Sequence, residues 1–159
     1  MTDEQIIKSI KRKYRYKDKL KDKAWAILSD YVRVRDFAKY KRCGSCPKII
    51  MDWRELQGGH FVNAGVGGAE LSFDEKNVNG QCGGCNMGGM DIGAQYAKEI
   101  DRRWGKGTAD ELHQRRFKTT KADKVFFTKK ILEIHKKFLS LREEYPDIEY
   151  PEYVDKWVA

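Results

Sequence analysis

A chain of 159 residues, 40% hydrophobic and 35% charged, suits one domain with appendages and is long enough to bury a core without disulfide staples. No apolar run reaches the ~18 residues a membrane helix needs, and no apolar segment follows the charged N-terminus, so neither a membrane span nor a secretory signal is expected. The formal net charge of +8 is concentrated: residues 1–42 hold fourteen Lys and Arg against six Asp and Glu, and the rest of the chain balances. These features point to the cytoplasm, where four cysteines are expected as metal ligands or reduced thiols rather than disulfides.

Residues 1–18 read as a polar, partly helical arm. Its Lys11, Arg12, Lys13, Arg15 and Lys17 are interleaved with Tyr14 and Tyr16, a pattern that attracts a phosphate backbone. A solvated basic helix face is the plainer alternative. From 18 to 41 the pattern is helical, with Ala24, Trp25, Leu28, Tyr31 and Val32 at three- and four-residue steps. Arg33 and Arg35 on this helix are counted with the arm as candidate DNA contacts. Residues 42–86 change character and become glycine-rich. Strands are predicted at 49–56 and 58–62, and a loop at 63–69, where glycines lift the steric limits on the chain.

Helices return after Asn86. One is predicted over 91–104, ended at Gly105. A second covers 108–117, with Thr108 as N-cap and Glu111 completing a capping box. A third covers 122–145, where Phe127, Ile131, Ile134, Phe138 and Leu141 form a seam stepping by four and three. That seam packs on the chain's own core or pairs with a second copy. Pro146 and Pro151 then break the helix and leave an acidic tail. The expected class is α+β, with segments 1–42 (basic arm and helix), 43–104 (cysteine-braced core), 105–145 (C-terminal helices) and 146–159 (tail).

Cys43-x-x-Cys46 and Cys82-x-x-Cys85 lie 35 residues apart. Two such knuckles signal structural zinc, because each turn brings two thiolates to one side and two turns complete a tetrahedron. A redox pair needs a single Cys-x-x-Cys between strand and helix, and unliganded thiols are the remaining alternative. Structural zinc contributes about 10–16 kcal/mol, so the apolar-poor segment 43–86 is expected to fold around its metal. The chain has three histidines. His113 and His135 fall in predicted helices among charges and read as surface residues. His60 falls in a predicted strand inside the metal-closed loop, as a functional residue or a simple donor to a backbone carbonyl.

The order Cys-x-x-Cys, Gly-His-Phe, Asn, Cys-x-x-Cys-Asn is similar to the His-Asn-His family of ββα-metal nucleases, in the zinc-braced form of phage endonuclease VII. More closely, the chain resembles the phage NinG (Rap) recombination proteins. That resemblance rests on KAWAILSDYVRVRD at 23–36, Cys43-Gly-Ser-Cys46, Gly59-His60-Phe61, and LSFDEKNVNGQC at 71–82 running on to Asn86, and it spans about residues 20–100.

The resemblance implies a small zinc-stabilised ββα-metal nuclease core flanked by an N-terminal basic helix and C-terminal helices. It implies His60 as general base on water, Asn77 as the residue pinning the hairpin, and Asn86 as an amide-oxygen ligand of a catalytic Mg²⁺ or Mn²⁺, a hard ion suited to oxygen donors. The implied activity is metal-dependent endonucleolytic cleavage of Holliday junctions and displacement loops, leaving 5′-phosphate and 3′-hydroxyl ends, by a phage or prophage protein acting in its bacterial host. Branched or double-stranded DNA is the expected partner. A homodimer is expected from symmetric junction cutting, along with a recombinase or single-strand-binding protein. A non-catalytic zinc module that binds branched DNA is the alternative. Gly59 stands where many relatives carry an Asp metal ligand. Asp74, Glu75, Glu55 and Gln57 are the candidates to replace it, Glu75 first.

Overall fold

Apolar residues at helical spacing dominate both ends of the chain, and helices form there. The structure, a computed structural model, describes residues 2–13, 17–88 and 93–158, without the side chains of 9–13, 17–18 and 157–158. Lys11, Arg12, Lys13, Arg15 and Lys17, the expected phosphate contacts of the arm, therefore lie outside the described side chains. In chain order the elements are α1 (Asp3–Lys13), α2 (Lys17–Tyr40), β1 (Leu56–His60), α3 (Gly68–Ser72), β2 (Val78–Cys82), α4 (Gly83–Asn86), α5 (Gly93–Trp104), α6 (Thr108–Arg115), α7 (Lys124–Glu144) and α8 (Glu152–Val158). The class is α+β: one two-stranded sheet and otherwise helices among the described residues. Two compact units divide the chain, 32–121 and 1–31 with 122–159, and α2 contributes to both.

In the unit 32–121, α2 stops where Lys41 takes a left-handed conformation (φ 51°) and its N–H reaches Phe37 O at 3.1 Å, a common helix ending. The chain then folds back in a tight knuckle: Cys43 N–H donates to Lys48 O and Ile50 N–H to Lys41 O, each at 2.9 Å. The strand expected over 49–56 is not formed. Ile49 makes one bridge to Arg42, and Asp52 then caps a 3₁₀ turn at Trp53–Glu55, with the Glu55 carboxylate returning to the Asp52 N–H at 2.9 Å. That local capping box competes successfully with strand geometry. The sheet is β1 antiparallel to β2, from Leu56 opposite Cys82 to His60 opposite Val78. Behind it Val62, Leu71, Tyr96, Ile100, Ala109 and Leu112 form an apolar core. α6 does not use Thr108 as N-cap. Gly107 holds that position, the Thr108 hydroxyl donates to Gly105 O at 2.7 Å, and Asp101 of α5 accepts the Ala109 N–H at 2.9 Å.

A buried ionic network braces this sheet. Asp36, fully buried, accepts the Gly80 N–H at 2.6 Å and pairs with Arg35 at 2.7 Å and Arg103 at 3.1 Å. Arg35 also donates to Glu75 O at 3.0 Å and Asn79 Oδ1 at 3.1 Å. Arg35 was expected among the DNA contacts; with 2% of its surface exposed it instead clamps α2 to the hairpin. Arg33 is half-buried and stacks over the Trp53 ring at 4.7 Å.

In the other unit, α7 packs against α1 and α8. The seam Phe127, Ile131, Ile134, Phe138 and Leu141 is buried within this single chain. Phe138 meets Tyr31 and Tyr150 edge to face, at centroid distances of 5.3 and 6.4 Å. The acidic tail is not free chain: Tyr150 and Val154 are buried, and Tyr153 Oη donates to Asp30 at 2.7 Å. His135, expected on the surface, is buried on α7. His113 is exposed, its ring 4.6 Å from that of Phe61.

Candidate functional site

The two Cys-x-x-Cys turns converge. The Sγ atoms of Cys43, Cys46, Cys82 and Cys85 all lie within 4.8 Å of one another, and Cys46 and Cys82 are 3.9 Å apart. A tetrahedron with Zn–S bonds near 2.3 Å has sulfurs about 3.8 Å apart, so the cluster fits a metal such as zinc. Backbone N–H groups already face sulfur: Cys82 N–H and Ser45 N–H reach Cys43 Sγ at 3.2 and 3.4 Å. Burial pushes the Cys43 and Cys85 thiols up. Burial acts the same way on Cys82, but the Cys85 N–H and the neighbouring thiols outweigh it and hold its thiol down. A divalent cation held by all four as thiolates would remove this conflict. The knuckles also touch through backbone. Gly44 N–H donates to Gly80 O at 2.8 Å, and a Cβ on Gly44 would sit 3.0 Å from that oxygen.

The clamped hairpin opens onto a cavity of about 320 Å³ lined by His60, Gln81, Asn86 and Tyr96 among others. His60 ends β1. Its Nε2 lies 2.9 Å from Ser72 O, and a carbonyl only accepts, so Nε2 carries the proton and Nδ1 the lone pair of the neutral ring. Burial lowers the His60 pKa, partly offset by that carbonyl, which favours the proton. Neutral imidazole is therefore the resting form near neutral pH.

Asn77 is fully buried and ties the loop after β1 to the start of β2. Its Oδ1 accepts the Val62 N–H at 2.8 Å, and its Nδ2 donates to Val62 O and Leu71 O at 3.1 Å each. Asn86 closes α4, the single turn that Cys85 anchors. It is exposed, and its Nδ2 donates to Gln57 Oε1 at 2.9 Å. Above Gly59 lies a cradle of amide oxygens: a Cβ there would meet Asn86 Oδ1 at 2.8 Å and Gln81 Oε1 at 1.7 Å.

The carboxylates expected to stand in for the missing Asp are engaged elsewhere. Glu75 Oε2 lies 3.6 Å from Arg35, Asp74 pairs with Arg115 at 2.6 Å, and Glu55 closes its capping box. Glu75 is not among the residues lining the cavity. Gln81 is the lining residue that sequence reasoning passed over. It sits beside Cys82 with no spacing signal of its own, and only the cross-strand register brings it over Gly59.

A sequence model of the Bacteriophage Lambda NinG protein family matches residues 2–144. The chain belongs to the NinG family. No curated protein and no solved structure matched it. In this NinG family member, all four clustered cysteines, His60, Asn77, Gln81 and Asn86 fall inside the matched span. No helix is long and apolar enough to cross a membrane among the described residues.

Proposed function

We propose that this chain is a zinc-braced His-Asn-His endonuclease that hydrolyses phosphodiester bonds in branched DNA recombination intermediates. One observation carries the reading: His60, with Nε2 committed to Ser72 O, lines one cavity with the carboxamide of Asn86, on a hairpin held by four clustered thiols. In this mechanism the thiols of Cys43, Cys46, Cys82 and Cys85 hold a structural zinc. His60 Nδ1 takes a proton from water as that water attacks phosphorus. The Ser72 carbonyl orients the ring and stabilises the imidazolium that results. Asn77 keeps the strand ends in place. The oxygen-rich rim at Asn86 fits a hard divalent cation, Mg²⁺ or Mn²⁺. Such an ion, when bound, stabilises charge on the phosphate and the departing oxygen.

Branch selectivity follows from the charge pattern. The surplus of Lys and Arg in residues 1–42 recognises phosphates without reading bases, and a branch offers unusual phosphate geometry and easily deformed DNA. A dimer, if symmetric cutting uses one, draws on a surface other than the α7 seam, which the chain itself covers. A second reading, a non-catalytic zinc module that binds branched DNA, is favoured by the absence of a carboxylate at Gly59.

The test uses zinc-loaded protein with labelled junction and linear duplex DNA in Mg²⁺, Mn²⁺ or EDTA. Nicking near the branch in Mg²⁺ or Mn²⁺, abolished by EDTA, is expected. His60→Ala is expected to retain fold, zinc and junction affinity while losing cleavage by ~10²-fold or more. Junction binding without cleavage in either metal overturns the nuclease reading in favour of the binding module.

A further inference from the structure

We infer that Gln81 supplies the second protein oxygen to the divalent cation at Asn86, replacing the carboxylate that Gly59 cannot carry; this rests on the nuclease reading above. Gln57, Gly59, Asn79 and Gln81 share one face of the hairpin, because Gln57 lies opposite Gln81 and Gly59 opposite Asn79. With no side chain at Gly59, the Gln81 carboxamide lies across the strand into the space a Cβ would take. Its Oε1 stands 1.7 Å from that Cβ position and Asn86 Oδ1 stands 2.8 Å from it. The two oxygens are therefore no more than 4.5 Å apart, the sum of those two distances. Oxygens bound to one octahedral Mg²⁺ at 2.0–2.1 Å are about 3 Å apart when adjacent and about 4.2 Å apart when opposite.

Both carboxamides have their nitrogen end anchored. Gln81 Nε2 donates to the buried Ser45 hydroxyl within the first cysteine knuckle, and Asn86 Nδ2 donates to Gln57. What remains over Gly59 is a pair of acceptor oxygens, one from each carboxamide, around the position a Cβ would take. Two lone-pair acceptors converging on one point suit a cation placed between them, and hard oxygen donors select Mg²⁺ or Mn²⁺ over softer ions. Gln81 is 2% exposed, so its oxygen is held in place rather than swinging in solvent. The anchor at Ser45 also links the two metal centres: the turn that holds the thiolates aims the Gln81 oxygen.

The experiment is Mn²⁺ binding to the full, zinc-loaded chain without DNA, followed by electron paramagnetic resonance, with zinc content and thermal midpoint as controls on folding. The wild-type chain is expected to bind one Mn²⁺ beyond its zinc. Gln81→Met, of similar volume but without a hard oxygen, is expected to weaken that binding about tenfold or more, as Asn86→Ala does, with zinc content unchanged. Gly59→Asp in a Gln81→Ala background, where the Asp Cβ takes the vacated space, is expected to restore it. A Gln81→Met chain that binds Mn²⁺ as tightly as wild type, while Asn86→Ala does not, overturns the assignment and leaves the nuclease reading standing. A wild-type chain that takes up no Mn²⁺ overturns both.

Discussion

Three carboxamides near the hairpin do different work, and burial separates them. Asn77 is fully buried and uses both ends of its amide on backbone. Asn86 is exposed and has its nitrogen on Gln57. Gln81 is buried but keeps its oxygen at the cavity. Asn77→Ala leaves the buried Val62 N–H and Val62 O without the amide that bonds them, whereas Leu71 O keeps the Asp74 N–H at 3.3 Å. Each of these two losses costs about 1–3 kcal/mol, so the variant should be destabilised by roughly 2–6 kcal/mol. Denaturant unfolding of zinc-loaded protein checks this; a change under about 0.5 kcal/mol means the Asn77 bonds are dispensable. Asn77 was readable from the resemblance as a pin. Gln81 was not, because its role depends on the absence of a side chain at Gly59, two residues along the paired strand from its own partner Gln57.

A two-stranded hairpin alone is marginal in water, and β1 and β2 are short and rich in glycine and amides. The Arg35–Asp36–Arg103 network supplies part of what the strands lack, and a metal held by the four clustered thiols would supply the rest. Glu99 extends that network. Burial pushes its carboxyl up, but Arg102 and Arg103 outweigh this and hold it at about 2. Stripping the metal with a chelator should therefore unfold the hairpin locally. Amide hydrogen exchange should become fast at Cys43 and from Val78 to Cys82 while the α7 amides stay protected. Unchanged hairpin protection in metal-free protein would show that the thiols do not brace it. The long helices were legible because their apolar steps alone decide them: α2 and α7 lie within a residue or two of expectation. β2 was not legible. Its sequence VNGQC is buried at every position without being apolar; Asn79 and Gln81 are accommodated by hydrogen bonds to Arg35, Tyr96 and Ser45. Nor was α3, which begins inside the glycine loop expected at 63–69.

Across the whole molecule, chemistry and charge overlap along the chain. The cysteines, His60 and the amide oxygens belong to the unit 32–121, and residues 32–42 of that same unit carry five Lys and Arg against one Asp, half of the cationic surplus of residues 1–42. The four-thiol cluster was readable from the two knuckle spacings, and family membership from those together with the helix at 23–36, Gly59-His60-Phe61 and the stretch 71–82. The docking of the acidic tail was not, because charge hides the apolar pair Tyr150 and Val154 that anchors it. The account rests on two metals of different kinds held by one hairpin. A crystal of zinc-loaded protein soaked in Mn²⁺, with anomalous scattering measured for both elements, tests this most directly. The account predicts zinc among Cys43, Cys46, Cys82 and Cys85, and manganese at Asn86 Oδ1 in the cavity that His60 lines. Manganese bound elsewhere, or a four-thiol cluster without zinc in protein purified with it, would contradict it.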